Sequence, residues 1–298
     1  MKSLLRGFQS LNQRLAAYIS LTKPTIMLLV VITGAAGLVV EGSLLATPGR
    51  FALALLLLAM AGGSANAFNQ AFERERDAIM ERTRRRRPLP SHKIGAVEAF
   101  LVASSLGVGS VVFYWLYFNA FAALLSAGTI LFYALFYTLY LKPRTPQNIV
   151  IGGAAGAMAP VIGWVAGAGT IGVVPVLLFL IIFLWTPPHF WALALCLQDD
   201  YKKVGLPMMP LVVGEAKTWK MIFAYVILTL AVSIAPLFFG IGALYGAAAV
   251  GLGIVLYRKT VKAMRAESHK ASWGLFGYSI VYLLGLFIAL IVDHGVRL

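Results

Sequence analysis

The chain has one cysteine, Cys196, which excludes an internal disulfide framework and any thiol pair with zinc-ligand spacing. Charge is nearly as scarce. Only 12% of the 298 residues are Asp, Glu, Lys or Arg, against 60% apolar, which is too little polar surface for a soluble globule. Acids are the rarer charges, 11 against 25 bases, for a net charge of +14. In a soluble domain that excess would point to nucleic acid. Here the bases lie between apolar runs, where topogenic charge accounts for them without a nucleic-acid partner.

What the chain does have is apolar sequence in blocks long enough to cross a bilayer, about 20 residues each. They fall at 24–41, 51–72, 94–116, 119–141, 149–168, 173–197, 219–240, 242–258 and 274–292. The expectation is an all-α polytopic membrane protein with nine transmembrane helices in one domain over 1–298. Pro236, Gly240 and Gly242 mark the division between the seventh and eighth spans. With the N-terminus inside, the inner segments hold every Lys and Arg except Arg50 and Arg297. That segregation supports the span count and a cytoplasmic N-terminus together. Residues 1–21, with Lys2, Arg6 and Arg14 among apolar positions, read as an amphipathic surface helix rather than a cleavable signal. Two inner loops, 73–93 and 198–218, are long and polar, and each follows an acidic cluster at the end of a span.

The first cluster spaces Asn69, Glu73 and Asp77 four residues apart, which puts three oxygen-bearing side chains along one helix face. The second is Gln198-Asp199-Asp200. Carboxylates beside an apolar span are costly and point to function. If the clusters face each other, Glu73, Asp77, Asp199 and Asp200 form an oxygen set suited to Mg²⁺ with a phosphate ligand. Cations for that phosphate are at hand in Arg82, in the run Arg84 to Arg87, in Lys142 and Arg144, and in Lys202 and Lys203. The same arginines also serve as topogenic charge, and Glu81 is placed to pair with Arg85 one turn on.

A third segment, Trp185-Thr-Pro-Pro-His189-Phe-Trp191, lies within the sixth span. A histidine in a membrane helix usually faces an interior. With flat walls from Trp185 and Trp191, His189 suits a planar aromatic ligand, as axial iron ligand or proton acceptor; it also suits a packed aromatic cluster. Gly152 and Gly156 form a small-xxx-small face behind Asn148, which could hold a ligand at the helix start. The turn-rich segment Gly205-Leu-Pro207-Met-Met-Pro210 suits a lid over an apolar substrate.

Taken together, from about Thr22 to the last span, these residues resemble the UbiA superfamily of intramembrane prenyltransferases. Asn69-x-x-x-Glu73-x-x-x-Asp77, followed by Met80-Glu-Arg82-Thr83 and Arg87-Pro88-Leu-Pro, resembles the superfamily's first acidic motif and the segment after it. Gln147-Asn148 to Gly156, the Trp185 to Trp191 segment, and Asp199-Asp200-Tyr201 with Gly205-x-Pro207-Met resemble its heme O synthase branch. Glu73 stands where the wider superfamily usually has Asp, and the second cluster lacks the spaced Asp pair of quinone-forming relatives.

The resemblance implies a UbiA-type helical bundle capped by cytoplasmic loops. It implies transfer of farnesyl from farnesyl diphosphate to the 2-vinyl group of heme B, with addition of water, giving heme O and diphosphate. On that reading Asn69, Glu73, Asp77 and Asp200 hold Mg²⁺, with Asp199 beside them. Arg82, Lys142, Arg144 and Lys203 bind the diphosphate, and His189, Trp185, Trp191 and Asn148 meet the heme. The site would be the lipid bilayer of a bacterial cell (inner) membrane, which the short N-terminal segment favours over the mitochondrial inner membrane. The product would pass to heme A synthase or the oxidase-assembly machinery. Two alternatives remain in view: a prenyltransferase acting on a quinone or chlorophyll precursor, and a heme-binding membrane transporter or chaperone.

Overall fold

The computed structural model describes residues 2–266 and 268–297, with side-chain surroundings from Asn12 onward. Every regular element among the described residues is helical. In order they are α1 (Lys2–Leu21), α2 (Pro24–Glu41), α3 (Pro48–Phe72), α4 (Arg74–Ile79), α5 (Glu81–Arg84), α6 (Ala96–Tyr117) and α7 (Ala120–Leu131). A π-helical segment, Phe132–Leu141, joins α7 to α8 (Lys142–Arg144). Next come α9 (Asn148–Ala157), α10 (Ala159–Ala168), α11 (Val173–Cys196), α12 (Gln198–Lys203), α13 (Met209–Val213) and α14 (Glu215–Ile234). A 3₁₀ turn, Ala235–Phe239, precedes α15 (Ala243–Ala266) and α16 (His269–Val296).

Eight of these helices or helix pairs are long and apolar enough to cross a membrane. The sequence expectation was nine. The difference is α15, whose apolar part from Ala243 to Tyr257 gives way to Arg258, Lys259, Lys262 and Arg265. It is nonetheless a long helix packed between α14 and α16. The break expected at Pro236 to Gly242 is present, with Gly240 in the left-handed region at φ 85°.

Polar pairing inside the bundle follows the rule that backbone and hydroxyl groups must be satisfied where water is absent. Ser64 donates to the Ala103 carbonyl, Ser110 to that of Leu57 and Tyr114 to that of Ala54, tying α3 to α6. Glycines let α2 and α10 come close. A Cβ on Gly37 would strike the Pro160 backbone, and one on Gly163 would strike that of Gly34. Asp293 on α16 accepts from the amides of Gly242, Leu244 and Tyr245, capping the start of α15 across the bundle. Large apolar side chains such as Leu101, Val108, Trp115, Leu124 and Leu131 are exposed on the outside, as a lipid-facing surface requires.

The N-terminal helix rests Ala17 and Leu21 on Ala67, Ala71 and Ala99 of α3 and α6. Its expected amphipathic pattern over residues 1–11 concerns side chains outside those described. Gln70 fastens it, donating to the carbonyls of Ser20 and Leu21 at 3.2 and 2.9 Å.

Candidate active site

The four-residue spacing survives the end of α3. Glu73 caps that helix, yet its amide still bonds the Asn69 carbonyl at 3.0 Å, and the Asp77 amide bonds the Glu73 carbonyl at 2.9 Å. The three side chains therefore stay on one face, and all are buried, at 2%, 4% and 2% exposure. Such acids need partners. Lys142, just after the π-helical segment, pairs with Glu73. Arg87 pairs with Asp77 and lies 3.6 Å from Glu73 Oε2. Lys23 Nζ donates to Asn69 Oδ1 at 3.0 Å, and Asn69 Nδ2 donates to Thr138 Oγ1 at 3.2 Å.

The buried group thus sets two carboxylates against three cations. Burial would raise the Glu73 carboxyl, but Lys142, Arg87 and Lys23 together hold it below the usual range. Asp77 goes the other way: burial, seconded by the charge of Glu73, keeps it raised despite Arg87. Burial, with Arg87 and Lys142, pushes the Lys23 ammonium well below an ordinary lysine. Lys23 also takes a left-handed backbone, φ 53°, rare for a side-chain-bearing residue and a form of strain that gathers at functional sites.

Two devices aim these groups. The first is the π-helical segment, unforeseen from sequence. Thr138 Oγ1 donates to the Tyr133 carbonyl five residues back, at 2.8 Å, while receiving Asn69. The second is the meeting of the two polar loops. Asp200 accepts from the amides of Glu81 and Arg82, each at 3.3 Å, and so caps α5 from α12. Met80, Tyr201, Leu206 and Met208 pack together beneath that contact. Tyr201 is buried there, its phenol raised by burial, and lies within the fields of Arg82, Glu73 and Arg87. The expected lid at 205–210 is accordingly a packed segment. Both acidic clusters sit at one face of the bundle.

Other sequence candidates fall elsewhere. Asp199 is exposed. Lys203 is exposed and pairs with Glu81 at 2.9 Å, so the expected Glu81–Arg85 pair is replaced by one between the loops. Arg144 is exposed, donates to the carbonyls of Leu139 and Tyr140, and lies over the Tyr140 ring. Arg82 presents its backbone amide to Asp200 while its side chain is exposed. Lys23 and Thr138 belong to this group although sequence reading did not single them out, and Arg87 is the member of the arginine run that reaches it. A lysine before a span and an arginine in a run look like topogenic charge until the fold half-buries them against acidic and amide partners.

His189 and Trp185 come together. Their rings stack at 4.4 Å, and Phe276 of α16 stacks on the other side of His189 at 4.6 Å. Trp191 faces away, edge-on to Tyr225, with its buried Nε1 unpartnered. Asn148 is fully buried at the start of α9; its amide donates to the Thr145 carbonyl and its Oδ1 has no partner. The glycine face is also shifted. Gly152 abuts the Tyr137 ring and Gly153 meets Thr186, while Gly156 is exposed with nothing near.

Among the described residues, no group of three His, Cys, Asp or Glu converges as a metal cage. The donor chemistry of Asn69, Glu73 and Asp77 nonetheless fits Mg²⁺, which takes one or two carboxylates and completes its shell with water and phosphate.

The UbiA prenyltransferase family model matches residues 30–291. The chain belongs to the UbiA prenyltransferase family. Among its relatives, the protoheme IX farnesyltransferase of Novosphingobium aromaticivorans is 47% identical, over 93% of this chain and 92% of its own. That of Erythrobacter litoralis is 46% identical over the same shares. A solved structure concerning digeranylgeranylglyceryl phosphate synthase aligns with TM-score 0.78 at 21% identity, over 96% of this chain and 99% of that one. A UbiA homologue from Archaeoglobus fulgidus, bound to GPP and Mg²⁺, aligns with TM-score 0.65 at 16% identity, over 92% and 99%. The UbiA bundle is therefore the fold of this multi-pass membrane prenyltransferase.

Proposed function

We propose that this UbiA-family protein is a protoheme IX farnesyltransferase. It joins C1 of farnesyl diphosphate to the 2-vinyl group of heme B and adds water, giving heme O and diphosphate. The observation that carries this is the 42–47% identity, over nearly the whole chain, to proteins of that name. The Mg²⁺- and GPP-bound relative supports a metal-assisted diphosphate site.

On this reading Asn69, Glu73 and Asp77 hold Mg²⁺ at the inner end of α3, with Asp200 drawn in from the second loop. When bound, the ion neutralises charge on the departing diphosphate. Lys23, Arg87 and Lys142 bind the diphosphate oxygens, and their positive excess favours the anion most as its negative charge grows. Arg82 lies at the rim of that site. The C1–O bond breaks and its electron pair leaves with the diphosphate. The vinyl π electrons attack C1, and water takes the cation left beside the porphyrin ring and gives up a proton. Apolar bundle walls keep water from the farnesyl cation until that point. Trp185 and His189 receive the heme. The charged end faces the cytoplasm of a bacterial inner membrane with the N-terminus inside. The product is then available to heme A synthase or oxidase assembly.

The test is to incubate membranes containing the protein with heme B, farnesyl diphosphate and Mg²⁺, then extract the hemes. A heavier, more apolar heme is expected. Its absence, with prenylation of 4-hydroxybenzoate instead, overturns the reading in favour of a quinone-precursor enzyme.

A further inference from the structure

We propose that Ser279 is a positioning residue that locks His189 in the Nδ1–H form, leaving the Nε2 lone pair for the iron of the heme substrate. This rests on the farnesyltransferase reading above and goes one step further, to the residue that prepares the heme site.

Ser279 has one hydroxyl hydrogen, and its Oγ lies 2.6 Å from the Phe276 carbonyl, an acceptor that can only take that hydrogen. At the 2.7 Å contact between Ser279 Oγ and His189 Nδ1, the oxygen is therefore the acceptor and Nδ1 carries the proton. A neutral imidazole has one N–H, so the lone pair sits on Nε2. Among the described residues the ring's hydrogen bond is made through Nδ1 and none is made through Nε2, which is not sealed off as a buried unpartnered atom.

The ring is also held against rotation. Trp185 stacks on one face at 4.4 Å and 17°, and Phe276 on the other at 4.6 Å and 24°. The Trp185 indole donates to the Ser279 carbonyl at 2.8 Å. Ser279 thus anchors the imidazole through its hydroxyl and the indole wall through its backbone. Packing alone asks for no such tautomer, and it leaves the Nε2 lone pair open to a ligand. A neutral histidine with one nitrogen bonded to oxygen and the other bare is the form that binds iron, and the outer hydrogen bond strengthens the ligand. His189 lies seven residues before the end of α11 at Cys196, roughly 10 Å along the axis. A porphyrin held there would lie within the bilayer, below the buried charge group.

The decisive pair is Ser279→Thr against Ser279→Val, which match in shape and differ in the hydroxyl. Full-length protein in detergent is titrated with ferric heme and followed by absorption spectroscopy, alongside the KM for heme B and the affinity for farnesyl diphosphate. Wild type and Ser279→Thr should give a nitrogen-ligated spectrum that His189→Ala abolishes. Ser279→Val should weaken heme binding about tenfold, the scale of losing a ligand's outer hydrogen bond. Its farnesyl diphosphate affinity should stay that of wild type, which also shows that it has folded. A Ser279→Val spectrum and heme KM equal to wild type overturn the inference, as does a wild-type spectrum unchanged in His189→Ala. Failure of the wild type to convert heme B is a separate result and removes the enzymatic reading itself.

Discussion

Asp77 and Glu73 are one helical turn apart and equally buried, yet their surroundings pull their carboxyls in opposite directions. Glu73 has Lys142 in contact and two more cations near. Asp77 has Arg87 and, against it, the charge of Glu73. Replacing Asp77 by Asn keeps the shape but removes a charge from the proposed metal and phosphate site. Turnover should fall by about 10²-fold or more, the scale of losing one transition-state contact, while the protein still inserts into membranes. Lys23→Met should raise the KM for farnesyl diphosphate about tenfold, one charge-assisted contact's worth, and Lys23→Arg should recover part of it. By contrast, Lys203 and Glu81 are both exposed, and removing either should change activity by less than about twofold, because solvent-screened pairs contribute little. Initial-rate kinetics on each variant separates these outcomes. Sequence spacing alone pointed to Asn69, Glu73 and Asp77. It did not separate Lys203 and Arg144 from Lys142, since all are basic residues after spans and only packing shows which of them is half-buried against Glu73.

Among the elements, α3 and its continuation carry the site because the i to i+4 bonding persists through the cap at Glu73. The π-helical segment does the complementary work, turning Thr138 toward Asn69 and leading into Lys142. No residue pattern in Phe132–Leu141 announces it, because an extra residue per turn is stabilised by neighbours rather than by the segment itself. Gly152 lets Tyr137 of that segment lie against α9. Gly152→Val should displace the ring and cost about 1–3 kcal/mol, as overpacking does, and activity should fall with it. Gly156→Ala should be silent, which a thermal melt in detergent would show. Asp293→Ala should also lower the melt by leaving three amides of the start of α15 unpaired. That start is partly buried, so about 1–3 kcal/mol is expected.

Across the whole molecule, two loops far apart in sequence close over one face, where Asp200 grips the amides of α5 and Tyr201 packs on Met80. That convergence makes a single diphosphate site feasible. EDTA should abolish farnesyl transfer, and Mg²⁺ should restore it; full activity in chelator would remove the metal from the mechanism. In a Cys196→Ala background, Arg85→Cys should react with an impermeant maleimide only when the cytoplasmic face is open, and a cysteine at Gly169 only from the opposite face. The sequence by itself determined the membrane class, the helical bundle, the two polar loops and the acidic motif, because apolar length, charge segregation and four-residue spacing are local properties. Tertiary structure alone decided which cations enter the buried group and that Ser279 meets His189. Those depend on contacts between residues 10 to 90 positions apart, and a linear pattern holds no record of which charged side chain the fold draws out of water.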